Sequence, residues 1–409
     1  MKMPDFHVEQ PQLDEIVLSR ARSPFEQDIH NRWHDCLDVV GGKRILVVGG
    51  AGTIGSATTT ILSRLGPSTL HVVDQSENYL AELVRDLRNR PGGLPVKDFR
   101  CLPLDYGSPV MGRFLADAEP YDLVLNFAAL KHVRSEKDVY SLLQMIDTNV
   151  IKHVRFRRWL KDNGHGERYF SVSTDKAANP TSLMGATKRL MEDVVFDADL
   201  SLGCATSARF ANVAFSNGSL LQSFMTRLAK RQPLAVPGST KRYFVSQDES
   251  GQICTLAALL GKPGTILFPQ LDPVSQLQSL EDIAERVLAH LGYQSVRFSD
   301  EAEAIASIGK LIPERRWPLL VTALDTSGEK PYEEFVGHGE VELDSELSTL
   351  GAVQHVRSAA MSSGIMEMLA EAVTSTKSML DKAAIVRAIE QAIPNFSHRE
   401  TGKTLDDRV

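Results

Sequence analysis

KRILVVGGAGTIGS (residues 43–56) is the stretch on which the fold turns. Residues 43–49 form a short, β-branched apolar run of the kind that a strand covered on both faces requires. The run passes straight into Gly49, Gly52 and Gly55, spaced three apart, with a helix expected to begin near Ile54. In such a set one glycine permits a tight turn, one lets the backbone approach a pyrophosphate, and one lets helix and strand pack closely. The first N–H groups of the helix, unpaired and at the positive end of its dipole, suit a phosphate. Gly49, Gly52, Thr53, Ile54 and Gly55 are therefore candidate cofactor contacts.

Outward from this stretch the same alternation continues. Apolar runs at 69–74, 98–104, 121–127, 168–173 and 204–210 are separated by longer segments of helical period. Strands alternating with helices in this way predict a doubly wound α/β fold, a parallel sheet of the Rossmann type. Asp74 closes the second strand about twenty residues past the last glycine, where a carboxylate meets the adenosine ribose hydroxyls. A carboxylate there would repel a 2′-phosphate, and neither Gln75 nor Ser76 supplies an arginine, so NAD is favoured over NADP. Asp105, one strand later, fits either a hydrogen bond to the adenine edge or an ordinary turn.

The regularity loosens after Phe210. Helices are expected at 218–231, 248–260 and 279–292, and a strand at 264–268. The chain then divides into a helical N-terminal extension (1–40), an NAD-binding domain with the candidate catalytic segment (41–210), a smaller substrate-binding lobe (211–343) and a helical C-terminal extension (344–409).

Composition bounds the function. With 409 residues, 43% apolar and 24% charged, the chain is of ordinary globular make-up. A net charge of -7 gives no reason to expect a nucleic-acid partner. The cluster Lys152, Arg155, Arg157, Arg158 and Lys161 reads as a solvated helix face. Cys36, Cys101, Cys204 and Cys254 form no CxxC pair, so neither a metal site nor a disulfide framework is expected. No apolar run is long enough to span a membrane. The start MKMPDFHVEQPQLDEIV lacks the pattern of a secretory signal, and a soluble cytoplasmic protein is the expectation.

Six blocks carry a family resemblance: GGAGTIGS (49–56), NFAALKHV (126–133), DTNV (147–150), STDKAANPTSLMGATKRLME (173–192), ARFANV (208–213) and KRYFVS (241–246). In types and order the chain resembles the extended short-chain dehydrogenase/reductases. Within them it resembles the polysaccharide-biosynthesis branch of UDP-N-acetylglucosamine 4,6-dehydratases and related C5-epimerising enzymes. The resemblance covers roughly residues 43–250, with a weaker echo at GEKPYEEF (328–335).

Most of the superfamily uses Tyr-x-x-x-Lys on a helix, the lysine favouring a phenolate that takes a proton from the sugar hydroxyl. Here that spacing reads Met184-Gly185-Ala186-Thr187-Lys188. A thioether cannot act as a general base, so the acid and base work must lie elsewhere. The resemblance assigns it to Thr174, Asp175 and Lys176. Oxidation at C4 acidifies the C5 hydrogen, Lys176 removes it as a neutral amine, and a protonated Asp175 donates to the departing C6 hydroxyl. Thr174 would hydrogen-bond the C4 hydroxyl, and the hydride would return to C6. On its own, a Ser-Thr-Asp-Lys run at a strand end is an ordinary turn or helix cap.

The resemblance further implies that Lys188 meets the nicotinamide ribose and that Ala128, Ala129 and Lys131 lie beside cofactor and substrate. Asn149 would steady the active-site helix, and Asn212, Lys241 and Arg242 would meet the nucleotide diphosphate. His132 is as readily a structural histidine. The implied partners are a UDP-sugar and further copies of the chain. Two departures stand out: Ser216-Asn217-Gly218-Ser219 replaces the family's Ser-Arg-Gly-Ser, and Val48 stands where a threonine is usual. The alternatives are an epimerase or keto-sugar reductase using the same hydride site, and a non-catalytic NAD-binding sensor or partner protein.

Overall fold

The computed structural model describes residues 10–131, 136, 138–323, 330, 332–358, 364–375, 381–393 and 396–398. Its first six strands are β1 (Arg44–Val48), β2 (Thr69–Asp74), β3 (Asp98–Pro103), β4 (Leu123–Asn126), β5 (Arg168–Val172) and β6 (Cys204–Ala208). Then follow β7 (Asn212–Val213), β8 (Leu234–Pro237), β9 (Lys241–Val245), β10 (Thr265–Pro269) and β11 (Leu277–Ser279). The last four are β12 (Gln294–Phe298), β13 (Arg316–Thr322), β14 (Glu342–Leu343) and β15 (Leu350–Gln354).

Nine of these form one sheet in the order β14-β15-β10-β6-β5-β4-β1-β2-β3. From β3 to β10 every neighbouring pair is parallel, and β15 and β14 close one edge antiparallel. The order reverses between β1 and β4, so a crevice opens at the carboxyl ends of those two strands, where ligands of such sheets bind. This is the doubly wound α/β fold the sequence predicts.

Alternation along β1 shows why the runs are apolar throughout. Ile45 and Val47 face a core shared with Phe170, Ile253 and Leu256, while Leu46 and Val48 face another shared with Phe156, Tyr169 and Met191. The helices Thr53–Arg64 and Gln247–Leu260 cross closely on the first face, where a Cβ at Gly251 would lie 2.8 Å from the Ala57 backbone.

Several elements sit elsewhere than expected. The strand predicted at 264–268 forms as β10, but it joins the large sheet beside β6. The segment from 344 onward is not helical at its start, since β15 pairs with β10 over five residues. The smaller lobe contributes two three-stranded sheets, β11-β9-β7 and β12-β13-β8. Among the described residues three helices rather than one or two precede β1: Gln10–Leu18, Phe25–Asn31 and Trp33–Val40. They are built into the body: Val17 and Leu18 join the smaller lobe's core, and Phe25, Cys36 and Val40 the large one. Arg20 pairs with Glu249 at 2.6 Å, and the Asp28 carboxylate accepts from the backbone and hydroxyls of Ser348 and Thr349.

The helix Lys152–Asp162 is a solvated face only in part: Arg158 and Lys161 are exposed, while Lys152 and Arg155 are half-buried. Arg157 is buried, its guanidinium 4.0 Å from the Tyr169 ring centroid. Lys152 pairs with Asp105, and Arg155 donates to the Gly107 carbonyl. Cys36 and Cys254 are buried and Cys101 and Cys204 half-buried, all as free thiols. Among the described residues no helix is long and apolar enough to cross a membrane.

Candidate active site

The glycine loop sits in the crevice. Gly49 has φ +67°, a left-handed conformation that side chains resist, and a Cβ there would lie 2.7 Å from the Ala128 amide nitrogen. At Gly55 a Cβ would stand 2.2 Å from the Gly49 carbonyl oxygen, so loop and helix meet only because it is absent. Gly52 is different: its nearest obstacle is 3.5 Å away, and it caps the helix Thr53–Arg64 without a side-chain bond. The N-terminal N–H groups are thus free of a capping side chain, as a phosphate site requires.

Asp74 braces this loop, accepting from Ala51 N at 3.2 Å and Ser76 N at 2.9 Å. Burial alone would raise Asp105, but Lys152 at 2.5 Å, the Gly107 amide and the side chain of Gln75 hold it below the usual carboxylate range. The loop after β4 is fixed by Asn126, whose side chain accepts from Ala128 N at 2.9 Å. Ala129 follows in the same loop. Thr53 Oγ1 accepts from Asn217 N at 3.3 Å and Lys131 Nζ donates to Ser216 Oγ at 3.4 Å, so the substituted Ser216–Ser219 segment borders both halves of the crevice. Ile54 packs into the large core.

The candidate catalytic segment leaves the end of β5. Thr174 caps a short 3₁₀ turn, Asp175–Ala177, and donates its hydroxyl proton to Asp175 Oδ1 at 2.7 Å. The same oxygen accepts from Lys176 N at 2.9 Å and Lys176 Nζ at 3.1 Å. The helix Leu183–Val195 abuts this turn because residue 185 is glycine: a Cβ there would lie 2.5 Å from the Lys176 carbonyl oxygen. Met184, one residue earlier, is buried, and its amide donates to Glu136 Oε1 at 2.9 Å.

Lys188 donates to the Val172 carbonyl at 2.7 Å from a fully buried position, and burial pushes its ammonium down to about 8, against the opposing pull of Glu192. Asn149 lies in a π-helical turn, Asp147–Ile151, a distortion often found at functional sites. Its side chain bonds both backbone groups of Leu130, at 2.8 and 2.9 Å, and Thr187 Oγ1 at 3.0 Å. One amide thereby fastens the loop after β4 to the helix that carries Met184 and Lys188.

A strap from the far end of the chain covers the turn. Lys330 Nζ donates to Asn179 O at 2.5 Å, Asn179 reaches Glu334, and His338 N donates to Asn179 Oδ1 at 2.8 Å. Beneath it lies a buried ionic cluster. Arg209 donates to Glu192 at 2.7 and 2.8 Å and to Glu340 at 2.5 and 2.7 Å, while Arg189 reaches both glutamates. Ser173 Oγ donates to Glu192 at 2.7 Å. Burial would raise Glu192, but the Arg209 guanidinium overcomes it and brings the carboxyl down to about 2.

Thr174, Asp175 and Lys176 share one turn, against which the helix of Met184 and Lys188 packs; Asn149 ties that helix to the loop after β4, Asp74 joins the glycine loop, and Gln75 meets Asp105. Asn212 donates to Tyr243 O at 3.4 Å, and Arg242 on the neighbouring strand acts electrostatically on Glu333. Lys241 is exposed at the start of β9. His132 and Val133 of the fourth-strand block, and Gly328, Glu329 and Pro331 of the distal echo, lie outside the described residues. Sequence reasoning missed the roles of Glu136, Glu333 and Glu340. Glu333 lies within the faint motif GEKPYEEF and Glu340 five residues beyond it, and only the fold brings this stretch to the turn.

Residues 45–354 match the family described as "Polysaccharide biosynthesis protein". The chain is 31% identical to a protein of Methanocaldococcus jannaschii named as an uncharacterized membrane protein, over 80% of this chain and 88% of that one. It is 24% identical to the inverting UDP-N-acetylglucosamine 4,6-dehydratase of Campylobacter jejuni, over 62% of this chain and 73% of the other. It spans about half the length, 53% and 46%, of two further curated relatives. Among solved structures, Pen from Bacillus thuringiensis superposes with a TM-score of 0.61 at 21% identity, over 77% of this chain and 88% of that one. With more than half of its length matched, the chain belongs to the polysaccharide biosynthesis protein family.

Proposed function

We propose that the protein is an NAD-dependent nucleotide-sugar 4,6-dehydratase that converts a UDP-N-acetylglucosamine-like substrate into its 4-keto-6-deoxy product. The observation that carries this reading is the hydrogen-bonded Thr174–Asp175–Lys176 turn packed against a helix bearing Met184 at the tyrosine position of the Tyr-x-x-x-Lys pattern. Similarity to a dehydratase of Campylobacter jejuni supports it.

The glycine loop fits a dinucleotide, since any side chain at Gly49 or Gly55 would close it, and Asp74, which braces the loop through Ala51 N, would meet the ribose. Gly52, Thr53 and Ile54 would hold the pyrophosphate, and Lys188 and Asn149 would border the nicotinamide end. Bound there, NAD would supply the hydride acceptor for C4 and the hydride donor for C6.

The remaining work is proton transfer, and the chain's own residues balance it. The Thr174 hydroxyl takes the C4 hydroxyl proton as it passes its own to Asp175, along the 2.7 Å bond. Asp175 then protonates the C6 hydroxyl, which leaves as water. Lys176 removes the C5 proton and gives one back. Lys131, Asn212, Lys241 and Arg242 supply cationic and amide donors suited to the diphosphate.

Purified protein incubated with UDP-N-acetylglucosamine should yield a product lighter by one water in mass spectrometry. A panel of UDP-sugars giving no such product, with NAD still bound, would overturn the dehydratase reading.

A further inference from the structure

A buried hydrogen-bond chain ends at the loop after β4, and no step of the scheme above uses it. The Tyr169 hydroxyl lies 2.6 Å from His153 Nε2, Asn126 Nδ2 donates to that hydroxyl at 3.4 Å, and Asn126 Oδ1 accepts from Ala128 N at 2.9 Å. His153, Tyr169 and Asn126 are each 1% exposed.

Strand register and helical period bring the three together. Tyr169 on β5 stands opposite Val124 on β4, so Asn126, two residues on, is its diagonal neighbour on the same face. His153 and Arg157 are four apart on the helix Lys152–Asp162 and share one side of it. From that side the imidazole meets the hydroxyl, and the Arg157 guanidinium covers the Tyr169 ring at 4.0 Å from its centroid.

The direction of the chain is set from one end. Asn126 turns Oδ1 toward the Ala128 N–H, because its own NH₂ group there would face another donor. Nδ2 is then the end presented to Tyr169, whose hydroxyl is left to donate its proton to His153 Nε2. That nitrogen must be unprotonated to accept it. Burial, with the Arg157 and Lys188 cations, holds the His153 imidazole well below its usual range, so the ring stays neutral.

Ala128 is where the chain meets the crevice. Phe127 N donates to Val48 O at 2.7 Å, and a Cβ at Gly49 would lie 2.7 Å from the Ala128 amide nitrogen, so this amide sits directly against the glycine loop. We infer that Tyr169 is a positioning residue for the cofactor: its hydroxyl holds the Asn126 amide, and that amide holds the Ala128 edge of the dinucleotide crevice. Without the hydroxyl, Asn126 Nδ2 and His153 Nε2 lose their shared partner in a buried site, and the amide is held from the Ala128 side alone. The inference rests on the reading of the crevice as an NAD site and not on the dehydratase reaction.

Calorimetric titration of the full chain with NAD, in the absence of any sugar, tests the role of the hydroxyl. Tyr169→Phe removes that hydroxyl and keeps the ring, and should weaken NAD binding by about three- to tenfold, the range for one lost hydrogen bond. Tyr121→Phe is the matched control. Its hydroxyl lies 2.6 Å from His71 Nδ1, its side chain is likewise 1% exposed, and it precedes β4 at the end away from Ala128. Both variants should melt at a lower temperature than the parent, but Tyr121→Phe should bind NAD as the parent does. In an Asn126→Ala background, Tyr169→Phe should cost no further NAD affinity, because the two residues act in series. An NAD affinity untouched by Tyr169→Phe, an equal loss in Tyr121→Phe, or an additive loss in the double variant would overturn the proposal. A parent protein that binds no NAD sinks the cofactor reading itself, whereas a parent that binds it and a Tyr169→Phe variant that binds it equally well sink the role of Tyr169 alone.

Discussion

Lys176 and Gly49 show how differently two residues can matter to one crevice. Lys176 touches no residue of the glycine loop in the contacts described, so Lys176→Ala should abolish turnover and leave NAD affinity in calorimetry nearly unchanged. Full activity in that variant would remove it from the mechanism. Gly49 makes no chemical contribution, but its φ of +67° and the Ala128 amide 2.7 Å from a would-be Cβ leave no room for a methyl group. Gly49→Ala should cost about 1–3 kcal/mol in unfolding free energy, the range for a strained backbone position, and weaken NAD binding at least tenfold. Both residues were legible in the sequence because their signals are local. Tyr169 was not, because its meaning depends on His153 and Asn126, which only the fold brings to its hydroxyl.

At the level of elements, the π turn Asp147–Ile151 is what lets Asn149 reach two neighbours at once. Asn149→Ala leaves the half-buried Leu130 N–H and C=O without their Asn149 partner and frees Thr187. A loss of about 1–3 kcal/mol in denaturant unfolding is expected, with a fall in kcat larger than any change in KM. A variant with unaltered kcat would mean the clamp serves stability alone. The strands β1 to β6 could be read from the sequence because each is a buried apolar run between helical segments. The placements of β10 and β15 could not. TILFP is apolar on both faces wherever it packs, so periodicity does not say which sheet it joins. LGAVQ is a short strand in a tail otherwise rich in helix-forming residues, and only its antiparallel register with β10 and β14 identifies it.

Across the whole molecule, the ionic cluster joins the ends of the fold. Glu192 comes from the helix that carries Met184, Arg209 from the end of β6, and Glu340 from the strap. Removing one partner leaves a buried charge uncompensated, and Glu340→Ala should destabilise the protein by ~3–5 kcal/mol. The same cluster sets an acid limit. Glu192 falls from an ordinary 4.5 to about 2 in the folded chain, so its contribution is fully present above about 4.5 and is lost as pH falls toward 2. Glu340 is lowered as well and acts in the same direction. Melting temperature should drop through that window, and less steeply in Glu340→Ala. An identical acid slope in parent and variant would contradict the assignment.

The central claim is that one crevice removes a hydride from C4, expels water from C6 and puts the same hydride back. UDP-N-acetylglucosamine deuterated at C4 tests all three events in one mass spectrum. The account predicts a product lighter by one water that retains the deuterium, now on C6. A product that keeps its water, or one whose deuterium has exchanged with solvent or remained at C4, would contradict it.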